Sequence, residues 1–208
     1  MTSQPTGLVA ILRGVTPADA VAVAEAIFDA GFDAVEVPYN SPDPLESIRR
    51  IRAAGPPHRR VGAGTVLNPQ DVRRAADAGA SLIVSPNTRA DVVAETVRLG
   101  LASYPGAATP TEAFTALDAG ARAVKLFPSS TIGVSGMRAW ASVLPAGTEL
   151  VPVGGVDASN LSDWARAGAA GAGLGTSLYR PGDTPEVVGA RAAELVRIWS
   201  ASAPTPTS

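Results

Sequence analysis

The sequence predicts an α/β protein of one domain, a (β/α)8 TIM barrel over residues 1–200, and three observations carry that expectation. A unit of helix, glycine and short apolar strand recurs about every 24 residues. Eight such apolar runs, each followed by a helical pattern, fit into 208 residues, the arrangement that closes a parallel sheet inside a ring of helices. An open doubly wound sheet is the competing reading. It lacks its phosphate fingerprint here, because Gly62-Ala-Gly64-Thr runs on into Val-Leu without a third glycine.

Taken in order, the strands are read at 8–13, 34–38, 61–66, 82–86, 102–106, 123–127, 150–154 and 171–175. Helical patterns end at Gly31, Gly55, Gly79, Gly100, Gly120 and Gly168, where glycine suits the left-handed residue past a helix C-terminus. Helix starts are expected at Thr16-Pro17, Ser41-Pro42, Asn68-Pro69, Thr109-Pro110 and within Asp157-Ala-Ser-Asn160, all with capping chemistry. Trp140, Trp164 and Trp199 fall in helical patterns and are expected to pack helices or subunits. The Pro/Ser/Thr-rich segment 201–208 is expected to be a disordered tail.

Composition narrows the function. A net charge of -2 with 17% charged residues offers no basic footprint for nucleic acid. No apolar run approaches the ~18 residues of a membrane span. The opening MTSQPTG lacks the basic and apolar regions of a signal peptide, so a cytoplasmic location is expected. Zero cysteines exclude disulfides, thiolate metal sites and cysteine nucleophiles. The single histidine, His58, sits in the loop Gly-Pro-Pro-His-Arg-Arg and reads as solvated. Serine–histidine–aspartate triads and histidine zinc sites therefore fall away, and no metal or cofactor is expected.

Against this background Lys125 stands out. It is the chain's only lysine, set in the apolar strand Ala-Val-Lys-Leu-Phe127. Arginine stays charged, whereas a desolvated lysine becomes a neutral amine nucleophile. The alternative is a lysine whose ammonium snorkels to water. Barrel strands alternate between lumen and helix layer. With Val124 and Leu126 outward, Lys125 and Phe127 point inward. With Val35 and Val37 outward, Glu36 points inward. The same parity turns Arg13 inward after Leu12 and is read as sending Ala63 and Thr65 in. Arg13, Glu36, Thr65 and Lys125 then share one mouth, at the strand ends where barrel function gathers. Glu36 and Lys125 taken alone could be a buried ion pair, but such a pair costs desolvation that apolar residues avoid. Beside an arginine it favours chemistry.

Two glycine-rich strand ends complete the set, Val151-Pro-Val-Gly-Gly-Val156 and Gly171-Ala-Gly-Leu-Gly-Thr-Ser177. Glycine lets an anion approach backbone N–H groups, and loops after strands seven and eight often form a phosphate site. Tight strand–helix turns are the alternative, but two such loops on adjacent strands favour phosphate binding. An amine, a carboxylate, an arginine and a phosphate cradle suit Schiff-base chemistry on a phosphorylated oxo-acid. A lysine at its ordinary pKa is roughly 0.04% free amine at pH 7. Burial and Arg13 would lower that pKa and Glu36 would oppose them, so the sequence leaves the sign of the shift open.

The residues also carry a resemblance. Ala10-Ile-Leu-Arg-Gly14, Gly31-Phe-Asp-Ala-Val-Glu-Val-Pro38, Asn40-Ser-Pro42, Gly62-Ala-Gly-Thr-Val66, Thr111-Glu-Ala-Phe-Thr-Ala-Leu117, Lys125-Leu-Phe-Pro-Ser-Ser130, Val153-Gly-Gly-Val156 and Gly171-Ala-Gly-Leu-Gly175 together resemble the class I 2-keto-3-deoxy-6-phospho sugar-acid aldolases. The likeness covers residues 8–182. It implies Lys125 as the Schiff-base residue and Glu36 as general acid/base. It implies Arg13 and Thr65 on the pyruvate carboxylate with Pro86 lining that end, and Gly154, Gly155, Gly175 and Thr176 on the phosphate. It also implies no cofactor and a homotrimer. Members acting on the gluconate epimer tend to carry arginine at the place of Asn40 and threonine at that of Val153. Val153 offers the sugar C4 only apolar contact, which implies the galactonate epimer as substrate. Tyr39 and Tyr104 are larger than the family pattern leads one to expect, and each is a candidate for reshaping the aldehyde pocket. The competing readings are the gluconate-specific sibling, an isomerase or synthase on the same barrel with Glu36 as base, and a phosphate-binding barrel without catalysis.

Overall fold

The computed structural model describes residues 6–202. Strands β1 (Gly7–Ile11), β2 (Ala34–Pro38), β3 (Arg60–Gly64), β4 (Leu82–Val84), β5 (Ala102–Tyr104), β6 (Gly106–Ala107), β7 (Val124–Leu126), β8 (Leu150–Pro152) and β9 (Gly171–Leu174) alternate with eight helices. These are α1 (Ala20–Asp29), α2 (Pro44–Ala54), α3 (Pro69–Asp77), α4 (Ala90–Arg98), α5 (Pro110–Asp118), α6 (Ser129–Ala141), α7 (Leu161–Arg166) and α8 (Pro185–Ser202). The only break in the alternation separates β5 from β6 at Pro105, which has no N–H to give a ladder. The carbonyl of Pro105 still accepts the Lys125 N–H at 3.0 Å.

All strand pairs are parallel. One ladder runs β5-β4-β3-β2-β1-β9 and the other β6-β7-β8. A parallel bridge, Val153 to Gly173, joins the two ladders, helped by the Ala170 N–H on the Leu150 carbonyl at 3.0 Å. The result is a curled parallel sheet with helices outside it.

Capping explains several helix starts. Asn68 accepts the Asp71 N–H at 2.9 Å, and Thr109 with Glu112 forms a reciprocal capping box, each worth about 1 kcal/mol. Two expected starts are displaced. Helix α2 begins at Pro44, because Ser41 is buried and its hydroxyl takes the Gly14 N–H instead. Helix α1 begins at Ala20, the Thr16 hydroxyl being bonded to Asp19. Gly55 also departs from expectation, closing its helix in extended conformation at φ -104°. Helix α8 runs to Ser202, two residues into the expected tail; residues 203–208 lie outside those described.

Alternation along the strands divides the apolar residues into two cores. The larger joins strand residues such as Leu8, Val35, Val61 and Leu126 to the helices, and holds Trp140 and Trp164. Trp199 packs against its edge. The smaller fills the inside of the curl with Val9, Leu82, Val84, Tyr104 and Val151 among others. That inner core is the floor on which the charged residues stand.

Candidate active site

Lys125 is the middle residue of β7, with Ala123 behind it in the inner core and Phe127 ahead. Val124 and Leu126, its ladder neighbours, face the helices. The ammonium is thereby held inside, 7% exposed, with Nζ 4.5 Å from the centre of the Phe127 ring. Glu36 comes from the middle of β2 and is 2% exposed. Both side chains line one cavity of about 510 Å³. Below them a chamber of about 20 Å³, walled by Val9, Val84, Tyr104 and Val151, has room for about one water.

Gly64 makes the place for the Glu36 carboxylate. A Cβ there would stand 1.6 Å from Oε2. This overturns part of the strand-three reading: Gly62 and Gly64 face the inside, and Ala63 faces the helices with Val61. Regular alternation would send Thr65 outward as well. Thr65 instead adopts φ 57°, a left-handed conformation that a β-branched residue enters at a cost, and lines the cavity.

Burial dominates the electrostatics. It pushes the Glu36 carboxyl up to about 7, against the lowering pull of Lys125 and then Arg13. It pushes the Lys125 amine down, opposed by Glu36 and assisted by Arg13. The sign left open by the sequence is thus downward. Oε2 of Glu36 is buried without a hydrogen-bond partner among the described residues. An amine whose pKa burial lowers, in one cavity with a carboxyl titrating near neutral pH, supplies a nucleophile and a proton carrier to the same site.

Arg13 and Pro86 line the same cavity. Asn40 does not. It lies at the surface, where its Oδ1 accepts from Arg13 Nη1 at 2.5 Å, so it touches the site only through that arginine. At the other end Val153, Gly154, Gly155, Gly175 and Thr176 line the wall. Gly154 and Gly155 are both left-handed, at φ 91° and 84°. The N–H groups of Gly155, Thr176 and Ser177 have no protein acceptor among the described residues, which leaves two adjacent loops with donors to offer an anion. Val153 is held where it is by Gly173, whose missing Cβ would fall 2.7 Å from Cγ2 of the valine.

Tyr39, a candidate for altering the pocket, turns outward and gives its hydroxyl to the Asp71 carbonyl at 2.7 Å. Tyr104 fills the floor instead. Ile11, Asp157 and Arg180 also line the cavity and went unnoticed in the sequence. Ile11 was within reach of the strand-one parity; the other two lie on loops, where no period points to them.

Comparison with known proteins identifies the family. Residues 3–186 match the family model for KDPG and KHG aldolase. The chain is 48% identical over 192 residues, 92% of its length and 94% of the relative's, to a 2-dehydro-3-deoxy-6-phosphogalactonate aldolase of Escherichia coli (strain K12). To a 2-dehydro-3-deoxy-phosphogluconate aldolase of Pseudomonas aeruginosa it is 33% identical over 148 residues, covering 71% of this chain and 66% of that one. The solved native KDPGal structure superposes with a TM-score of 0.92 at 48% identity, covering 94% of this chain and 95% of the other. With the family model spanning most of its length and these relatives on either side, the chain belongs to the KDPG and KHG aldolase family.

Proposed function

We propose that this aldolase is of class I and reversibly cleaves 2-dehydro-3-deoxy-6-phosphogalactonate into pyruvate and glyceraldehyde 3-phosphate. The observation that carries the reading is the chain's only lysine, buried on β7 with its pKa lowered, in one cavity with Glu36. In the proposed mechanism neutral Lys125 Nζ adds to the substrate C2 ketone, and the carbinolamine loses water with Glu36 supplying the proton. The carboxylate of Glu36 then takes the C4 hydroxyl proton. The C3–C4 bond breaks, its electron pair flows to the protonated imine nitrogen, and the aldehyde leaves. Protonation of the enamine and hydrolysis release pyruvate and the amine. The imine nitrogen is the electron sink, so the scheme calls on no cofactor.

Arg13 and Thr65 are assigned to the pyruvate carboxylate, with Pro86 beside them, and the N–H groups of Gly154, Gly155, Gly175 and Thr176 to the phosphate. Val153 sets the C4 preference by apolar contact, and Asn40 acts through Arg13. Counting β5 and β6 as one strand interrupted at Pro105 gives eight, and the Val153–Gly173 bridge supports closure into a (β/α)8 barrel forming one domain. A homotrimer in the cytoplasm is the assembly and location that go with this reading.

The test is to reduce a mixture of protein and pyruvate with borohydride and weigh the product, then to compare cleavage rates on the two C4 epimers. An adduct on Lys125, absent from Lys125→Arg, and faster cleavage of the galactonate form are expected. Val153→Thr is expected to move the preference toward the gluconate form. Turnover by Lys125→Arg, or a wild-type preference for the gluconate form, would refute the assignment.

A further inference from the structure

The phosphate end of the cavity has a feature that the backbone donors do not explain. Arg180 lies in the loop between β9 and α8, lines the cavity beside Thr176 and Gly175, and is braced at its base. Its Nε donates to the Thr176 carbonyl at 3.3 Å, and its own backbone N–H is taken by Asp183 at 2.9 Å. Asp183 is tied in turn to Arg191 of α8 at 2.5 Å. The brace fixes the loop yet leaves both terminal guanidinium nitrogens of Arg180 without a hydrogen bond among the described residues. Arg13, the other arginine of the cavity, is held at Asn40 across the mouth. Asp157 is the other carboxylate at this end, lining the cavity itself, and its Oδ1 is engaged by the N–H and hydroxyl of Ser159.

From this we infer that Arg180 is the specificity residue for the phosphate of the aldehyde half, reading its charge where the glycine loops read its shape. The inference rests on the proposed aldolase reading. Backbone N–H groups carry only partial charge, and they also donate to a neutral hydroxyl oxygen, though less strongly than to a phosphate oxygen. A phosphate at pH 7 brings a charge near -2, and a guanidinium fork meets two of its oxygens at once. Arg180 therefore separates phosphorylated from unphosphorylated aldehydes, while the pyruvate half, held at the other end, does not sense it.

The experiment compares wild type, Arg180→Ala, Arg180→Gln and Arg180→Lys in the condensation direction, with pyruvate and either glyceraldehyde 3-phosphate or glyceraldehyde. Arg180→Ala and Arg180→Gln are expected to raise the KM for glyceraldehyde 3-phosphate about tenfold to a hundredfold, with kcat/KM for glyceraldehyde within about twofold. Arg180→Lys, which keeps the charge, is expected to recover most of the loss. Wild-type KM in Arg180→Gln would overturn the inference, since a neutral donor to Thr176 would then suffice. An equal loss on both aldehydes would overturn it too, marking Arg180 as a loop support. Borohydride trapping of pyruvate on Lys125 is run alongside on every variant. Trapping in all of them keeps the imine reading intact whatever Arg180 does, and absence of trapping in wild type would remove that reading itself.

Discussion

Replacing Gly64 with alanine asks whether the Glu36 carboxylate works by its position. The new Cβ would stand 1.6 Å from Oε2, 2.3 Å from Cδ and 2.6 Å from Oε1. Ordinary contact begins near 3.4 Å, so the carboxyl must retreat by about 1.8 Å, and the open direction is into the cavity. Misplacing a reacting group by ~1 Å costs about a hundredfold in rate. We therefore expect kcat for cleavage to fall at least about a hundredfold. The folding cost is small by comparison, because the atoms that move are the end of a flexible side chain. An off-rotamer glutamate costs about 1 kcal/mol, a Tm loss of roughly 2–4 °C for a chain of this size. Lys125 is untouched, so pyruvate is still trapped by borohydride. Moved into a wetter place, Glu36 also titrates lower than its present value of about 7, and the acidic limb of the rate profile shifts to lower pH. In a Glu36→Ala background the three atoms nearest the added methyl are gone, so its further cost in Tm is expected to shrink, a coupling that a double-mutant cycle reads directly. Retention of kcat within about threefold would refute the placement of Glu36 as the proton carrier.

The remaining predictions concern the same charged group of residues. The Glu36 carboxyl has a folded pKa of about 7, above its ordinary 4.5. Its contribution to stability is complete below the unfolded value and is lost as pH rises through the folded one. Glu36→Gln should therefore gain on wild type between pH 5 and pH 8, on the order of 3 kcal/mol; a stability difference that stays flat with pH would refute the raised pKa. Arg13→Ala should raise the KM for pyruvate at least about tenfold, by losing a charge-assisted pair. Asn40→Ala, which only frees Arg13, should raise it less and leave kcat and the C4 preference unchanged. A changed C4 preference in Asn40→Ala would show that Asn40 meets the sugar directly.

What the sequence could and could not disclose follows from how each residue is held. Lys125, Glu36 and Arg13 sit in or directly after unbroken ladders, so a period of two places them without coordinates. The same rule fails in strand three. Gly62 and Gly64 have no side chain to mark the inner face, and the left-handed turn at Thr65 reverses the parity after them. The split at Pro105 was invisible for a related reason, since strand patterns show side chains and the break is a missing donor. Asn40 and Arg180 lie on loops, where reach and bracing decide what a side chain meets. The direction of the Lys125 shift was beyond sequence because it is a contest between burial and Glu36, and the winner depends on depth.

That contest also separates chemistry from architecture. In a buried ion pair that serves the fold, attraction between the partners and the hydrogen bonds around them offset desolvation, and each group is held charged. Here the order is reversed at both ends. Burial outweighs the partner's charge in raising Glu36 and again in lowering Lys125, and Oε2 is left without a donor. A pair arranged in this way contributes little to stability and keeps one proton easy to move between a base and an acid. In the proposed mechanism the missing donor arrives with the substrate, as the hydroxyl on C4. The orphaned oxygen and the depressed amine are thus two results of one desolvated interior, and the apolar floor of Val9, Val84, Tyr104 and Val151 is as much a part of the chemistry as the charges standing on it.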